Sequence, residues 1–175
     1  DKFAQPTGEW IGAKGKPTHV TYDGPTLKGA TNAVIPGIDH RETSYSAKAF
    51  EQTFRFLTGR SPTTLAIIPE AEVELNGRVF GLGLNNVPGT GNFANNLPLV
   101  GARIEVYAVD PDSGQRLGEV LLRKTVAADG NWGPLKTDPR TALEFVVAAD
   151  DFATSHVYRS PLPRSSRLIH LRAER

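Results

Sequence analysis

Cysteine and methionine are both missing from the 175 residues, neither sign of charge dominates, and no long apolar run occurs. Without cysteine the chain forms no disulfide and offers no thiolate to a metal. That absence fits reducing and oxidising compartments alike. A formal net charge of +1 removes any bulk electrostatic case for nucleic acid or for an anionic membrane. No stretch approaches the roughly 18 apolar residues of a membrane span, and no signal peptide stands at the start, although a removed one would leave no trace. The lack of methionine, with Asp1 in first place, leads us to expect a processed chain, a nicked fragment or an excised piece.

What is present is ordinary for one globular domain or two small ones, at 39% hydrophobic and 22% charged residues. Glycine at 17 and proline at 13 favour short strands and many turns over long helices. Residues 1–30 read mostly as loop, with a possible short strand at His19-Val20-Thr21-Tyr22. Thr31 to Ile35 reads as a buried strand stopped by Pro36-Gly37. Ser46 then caps a helix over 47–58, in which Ala47, Phe50, Phe54 and Leu57 recur at helical spacing. Gly59 is placed to end it in the left-handed conformation, and Pro62 blocks continuation.

Beyond Pro62 the texture changes, and the boundary between two regions falls near residues 59–69. Segments 71–82, 100–109, 117–126, 142–149, 154–159 and 167–172 are rich in strand formers. Several alternate polar and apolar residues, as in Arg103-Ile104-Glu105-Val106-Tyr107. Asn76-Gly77, Asp110-Pro111-Asp112-Ser113-Gly114 and Asp129-Gly130 read as turns. Strands at this spacing predict a β-sandwich or barrel.

Gly37-Ile38-Asp39-His40-Arg41-Glu42, with the helix after it, resembles the last strand, histidine loop and final helix of α/β-hydrolase esterases and lipases. The longer stretch Gly29 to His40 looks especially like secreted bacterial and archaeal lipases that carry a C-terminal β-domain. A second resemblance covers most of the remainder. Leu99-Val100-Gly101-Ala102-Arg103-Ile104-Glu105-Val106-Tyr107, then Ser113-Gly114, then Ala128-Asp129-Gly130-Asn131-Trp132-Gly133 resembles a transthyretin-like or carboxypeptidase-regulatory-like sandwich. Ser113 stands where that family usually has threonine. Together they imply an α+β chain: residues 1–60 as the C-terminal segment of an α/β-hydrolase core, and 66–175 as an all-β accessory sandwich.

The resemblance implies a serine carboxylesterase or lipase, secreted or periplasmic, working through an acyl-serine intermediate with no cofactor or metal. In this fold the triad arrives in the order Ser, Asp or Glu, then His, and His40 fits the last place as general base. No Gly-x-Ser-x-Gly pentapeptide occurs. Gly59-Arg60-Ser61-Pro62-Thr63 is a half match on the wrong side of the histidine. The nucleophile is therefore expected on a partner, an N-terminal chain of the same precursor, and this chain alone is expected to be inactive. Asp1 is the favoured acid, with a residue upstream of it an open alternative; Asp23 and Asp39 fit less well. Medium- or long-chain acyl esters are the implied substrates. The face of Phe50, Phe54 and Leu57, with Val34 and Ile35, would need the missing sheet to cover it.

Other features have plainer readings. His19, His40, His156 and His170 lack metal-ligand spacing. Asp110-x-Asp112-x-Gly114 suits a hairpin turn better than a calcium loop. Arg159, Arg164 and Arg167 with Ser160, Ser165 and Ser166 suit a solvated edge better than an anion site. Trp10 and Trp132 suit packed aromatics as well as a lipid groove. The rival function is a secreted, non-catalytic transthyretin-like binding or structural module, in which replacing His40 would change nothing.

Overall fold

A computed structural model of the chain describes residues 8, 9, 14–21, 23–82 and 97–174. By contact the chain divides into two compact units, Asp1–Ala66 and Ile67–Arg175.

The first unit has one regular helix of note, α1 (Ala47–Thr58), preceded by a short 3-10 turn at Glu42–Ser44. Its ends form as the sequence predicts. The Ser46 side chain accepts a hydrogen bond from the Ala49 amide, and Gly59 closes the helix at φ 71° with its amide on the Arg55 carbonyl. Glu51 and Arg55 pair one turn apart along the exposed side. The expected strand at 31–35 does not form; these residues run as irregular chain. The reason is elementary, because a strand must share its amides and carbonyls with a neighbour, and no described residue pairs with 31–35. The short strand expected at His19 to Tyr22 is likewise absent over 19–21. His19 adopts φ 54°, Thr21 and Gly24 close a tight turn, and Tyr22 lies outside the described residues.

The second unit is the β-sandwich, with nine strands among its described residues. They are β1 (Val73–Leu75), β2 (Val79–Gly81), β3 (Leu97–Pro98), β4 (Arg103–Val109), β5 (Leu122–Thr125), β6 (Leu135–Thr137), β7 (Ala142–Ala148), β8 (Ser155–Arg159) and β9 (Leu171–Ala173). The main sheet is antiparallel throughout, in the order β5-β4-β7-β8. Opposite it stand a three-stranded sheet, β3-β2-β9, in which β2 runs parallel to β9, and the antiparallel pair β1-β6. Alternation does what period two requires. Ile104, Val106, Phe145 and Val147 turn into one core, where they join Val73, Leu75, Val79, Leu135 and Leu171.

Three expectations need correcting. Segment 71–82 is two strands, and Asn76-Gly77 does not join them as a hairpin. The chain passes at Gly77 from one sheet to another, because β1 pairs with β6 while β2 pairs with β3 and β9. The segment 167–172 is mostly irregular, with β9 confined to 171–173. Strands β3 and β6 went unpredicted because two or three residues carry no readable period. The turns at Asp110 and Asp129 form as expected. Asp110 Oδ1 accepts from the amides of Asp112 and Ser113 and from the Ser113 hydroxyl, which draws its carboxyl below the usual range. That carboxylate serves a hairpin turn.

Trp132 is completely buried, so it packs the core and lines no lipid groove. Its ring meets Phe145 edge-on at 5.1 Å between centroids, and its indole N–H donates to the Ile169 carbonyl at 2.8 Å. A Cβ added at Gly77 would sit 1.9 Å from that same carbonyl oxygen and 2.8 Å from the indole nitrogen. Gly77→Ala is therefore expected to cost at least about 3 kcal/mol, because only backbone can move to relieve the clash. Gly101→Ala, which meets open space but holds φ 85°, is expected to cost about 1 kcal/mol. Urea denaturation followed by Trp132 fluorescence in a Trp10→Phe background measures both; equal losses would refute the close-approach account.

Candidate functional site

The His40 turn is built by its neighbours. Asp39 Oδ1 accepts from the amides of Arg41 at 2.7 Å and Glu42 at 2.9 Å, while Glu42 Oε2 accepts from the Asp39 amide at 2.6 Å. This reciprocal arrangement is the capping-box logic applied to the 3-10 turn. The Thr43 hydroxyl closes the loop onto the His40 carbonyl at 2.6 Å. His40 is thus carried, exposed, on a tightly hydrogen-bonded turn directly before α1. Asp39 Oδ1 is thus engaged by two backbone amides. Asp23 lies in the tight turn at 21–24, its amide on the Thr21 hydroxyl. Asp1 lies outside the described residues, as does Trp10.

Several apolar side chains of this first unit are uncovered. Phe50 is 50% exposed and Leu57 73%, and Tyr45, Phe56 and Val34 are likewise exposed. Ala49 alone of the helix is buried. The sequence foresaw the face through Phe50, Phe54 and Leu57; Phe56 widens it. Ser61, the half-match serine, accepts a hydrogen bond from Arg55 at the helix end.

The sandwich holds a polar network of a different kind, on the outer face of the main sheet. Glu144 of β7 is 2% exposed, an unusual place for a carboxylate. Its Oε2 accepts from Arg116 Nε at 2.6 Å, and its Oε1 from His156 at 2.7 Å and the Tyr158 hydroxyl at 3.1 Å. A carboxylate only accepts, so His156 donates through Nδ1. Arg116 also lies 3.7 Å over the Tyr107 ring. The Tyr107 hydroxyl donates in turn to Glu105, which also holds Arg123. The Arg116 hydrogen bond, helped by His156 and Tyr158, outweighs burial and holds the Glu144 carboxyl at about 2, against an ordinary 4.5. Alternation marks Glu105 and Tyr107 as outward-facing, but nothing in the local sequence signals that Glu144 is buried.

The arginine–serine segment 159–167 grips an anion from its own chain. Arg164 pairs with Glu70 at 3.1 Å and donates to the Ile68 carbonyl, while the Ser165 amide and hydroxyl both donate to Glu70. Among the described residues no group of three or more histidines and carboxylates is arranged to hold a metal ion. No described helix is long and apolar enough to cross a membrane.

Residues 71–175 match the family described as Lipase C-terminal domain. No curated protein matches the chain.

The Glu144 network makes a prediction in acid. The folded-state pKa lies below that of the unfolded chain, so the contribution to stability is complete above about pH 4.5. It fades as pH falls and is gone near pH 2, because the unfolded chain takes up the proton first. At pH 7, Glu144→Gln is expected to lower stability by about 2 kcal/mol, since the amide keeps one uncharged acceptor oxygen and turns its NH₂ toward a donor, either Arg116 or His156. In thermal melts the gap between wild type and variant is expected to close between pH 4.5 and pH 2. A gap of constant size would show that the carboxylate charge contributes nothing.

Proposed function

Because the chain belongs to the lipase C-terminal domain family over more than half of its length, we propose that it is the C-terminal part of a carboxylic ester hydrolase. In this reading the transthyretin-like sandwich is the accessory domain of a secreted lipase or esterase. Residues 1–60 complete an α/β-hydrolase core whose other strands, with the serine nucleophile, belong to an N-terminal chain of the same precursor.

The observation that carries the reading is the first unit's unfinished character beside a family-matched lipase domain. A capped, well-formed helix leaves its aromatic face in water, and the chain at 31–35 has strand composition without a strand partner. A supplied sheet would satisfy both needs at once: amides and carbonyls of 31–35 pair with its edge, and Phe50, Phe56 and Leu57 pack on its surface. The His40 turn then lies at the C-terminal end of that last strand. In the α/β-hydrolase order this is the triad histidine's position.

The chemistry needs little from this chain beyond that imidazole. His40 takes the serine proton as the hydroxyl attacks the acyl carbonyl, then delivers it to the departing alkoxide. It next takes a proton from water as the water oxygen attacks the acyl-serine carbonyl, and returns that proton to the serine oxygen as the acyl–oxygen bond breaks and the acid leaves. Asp1, or a residue upstream of it, orients the ring. Medium- to long-chain acyl esters are the substrates.

The test is fluorophosphonate labelling and intact mass of native material that contains both portions. The N-terminal chain is expected to take the label, and His40→Ala is expected to lower ester hydrolysis by about 10³-fold or more. Full activity in His40→Ala would remove this histidine from catalysis. An unlabelled chain that remains a stable monomer of about 18.9 kDa would overturn the hydrolase reading altogether.

A further inference from the structure

We propose that an open groove of about 340 Å³, where β1 and β2 pass the segment 166–170, binds a phosphate-class oxyanion. Its walls include Asn76, Arg78, Asn131, Arg167 and His170, with Glu74 on one side. The groove lies in the sandwich unit, and its assignment is independent of catalysis at His40.

The backbone builds it. The Asn76 amide donates to Ser166, Ile169 to Asn76 and Leu171 to Arg78, which sets the two segments side by side. Gly77, between them, leaves no room for a side chain and so keeps the floor low. This is a rigid frame, tied through Ile169 to the Trp132 indole.

The donors around the groove have work left to do. Elsewhere in the sandwich Arg116, Arg123, Arg140 and Arg164 each hold a carboxylate. Arg78 and Arg167 hold none among the described residues, although Glu74 shares the groove with them. The Arg78 amide donates to His170 Nδ1 at 3.2 Å, so neutral His170 carries its proton on Nε2 and offers a further donor. Both asparagine side chains turn their oxygens to local amides, Asn76 to Gly77 and Asn131 to Gly133, which leaves their NH₂ groups as donors. Two guanidiniums, two amide NH₂ groups and one imidazole N–H match the several acceptor oxygens of a phosphate. With Glu74 ionised the lining carries a net single positive charge. Glu74 opposes the anion and sets the affinity low enough for exchange.

Such an oxyanion can come from a small phosphate compound or from a lipid headgroup, and both supply the same recognised group. Amide NMR of the whole chain, titrated with inorganic phosphate and separately with phosphatidic acid or phosphatidylcholine vesicles, distinguishes them. We expect saturable shifts of Gly77, Arg78, Asn131 and His170 with phosphate. The double variant Arg78→Gln/Arg167→Gln is expected to weaken binding by about tenfold or more. Glu74→Gln, which removes the opposing charge, is expected to tighten it by about two- to fivefold. Binding that is far stronger on phosphatidic acid vesicles than with free phosphate, with the same response to the variants, identifies the headgroup as the source. Shifts that ignore all three substitutions, or no saturable response to either probe, would overturn the proposal.

Discussion

At Gly77 two stretches of backbone approach so closely that no side chain fits between them, and the Ile169 carbonyl there receives the Trp132 indole N–H. Much of the sandwich hangs on this point. A buried carbonyl in a β-core is costly unless a donor reaches it, and the indole supplies one while its ring fills the centre of the core. Glycine lets the chain cross from the β1-β6 pair to the β3-β2-β9 sheet at the same place. Gly133 repeats the constraint on the other side, where an added Cβ would meet Asn76 and the Leu75 carbonyl at 2.7 and 2.8 Å. Lys124 reaches across to the Gly133 carbonyl, so the turn that delivers Trp132 is held from three directions.

Around that centre the two faces of the main sheet follow different physics. The inner face is ordinary apolar burial, which tolerates no charge. The outer face buries Glu144 and satisfies it with three donors, a costlier solution whose merit is geometric. An arginine, a histidine and a tyrosine converging on one carboxylate fix the relative positions of β7, β8 and the turn carrying Arg116. The two histidines of the sandwich are held in opposite senses by the same logic. His156 gives its Nδ1 proton to a carboxylate, whereas His170 accepts at Nδ1 from an amide. One ring therefore belongs to an internal network, while the other keeps an N–H available to the groove.

The legibility of these features in the sequence follows their physical range. The helix 47–58 was readable to the residue because caps and period are local, and Ser46 and Gly59 decide its ends without help. Strand β4 is readable because seven residues largely alternate, and β7 and β8 because five to seven consecutive residues are rich in strand formers. What failed depended on partners far away in the chain. The Thr31–Ile35 strand has the right composition and no neighbour; Asn76-Gly77 has hairpin composition but is used for a close approach to Ile169. Glu144 looked like any outward residue, because the burial arises from Arg116, His156 and Tyr158 folding over it. The groove arginines were seen only in part, as Arg167 among three basic residues. Arg78 joins it through a pairing of 76–79 with 166–171 that no local signal announces.

The same argument bears on the catalytic reading. A turn made rigid by Asp39, Glu42 and Thr43 costs conformational entropy that an idle surface loop has no need to spend. Asp39 Oδ1 and Glu42 Oε2 accept from backbone amides and so serve as scaffolding for the turn. Pre-positioning an imidazole on such a scaffold is what acyl transfer requires of a base, whose ring must meet a hydroxyl within hydrogen-bond reach before any proton moves. In the proposed reading the exposed aromatic face of α1 is the surface that a supplied sheet would cover. Helices of twelve residues hold together chiefly by burying one side, and here that side is in water. If a sheet covers it, His40 is brought to the end of that sheet's last strand by the same contact, so packing and catalysis stand or fall together.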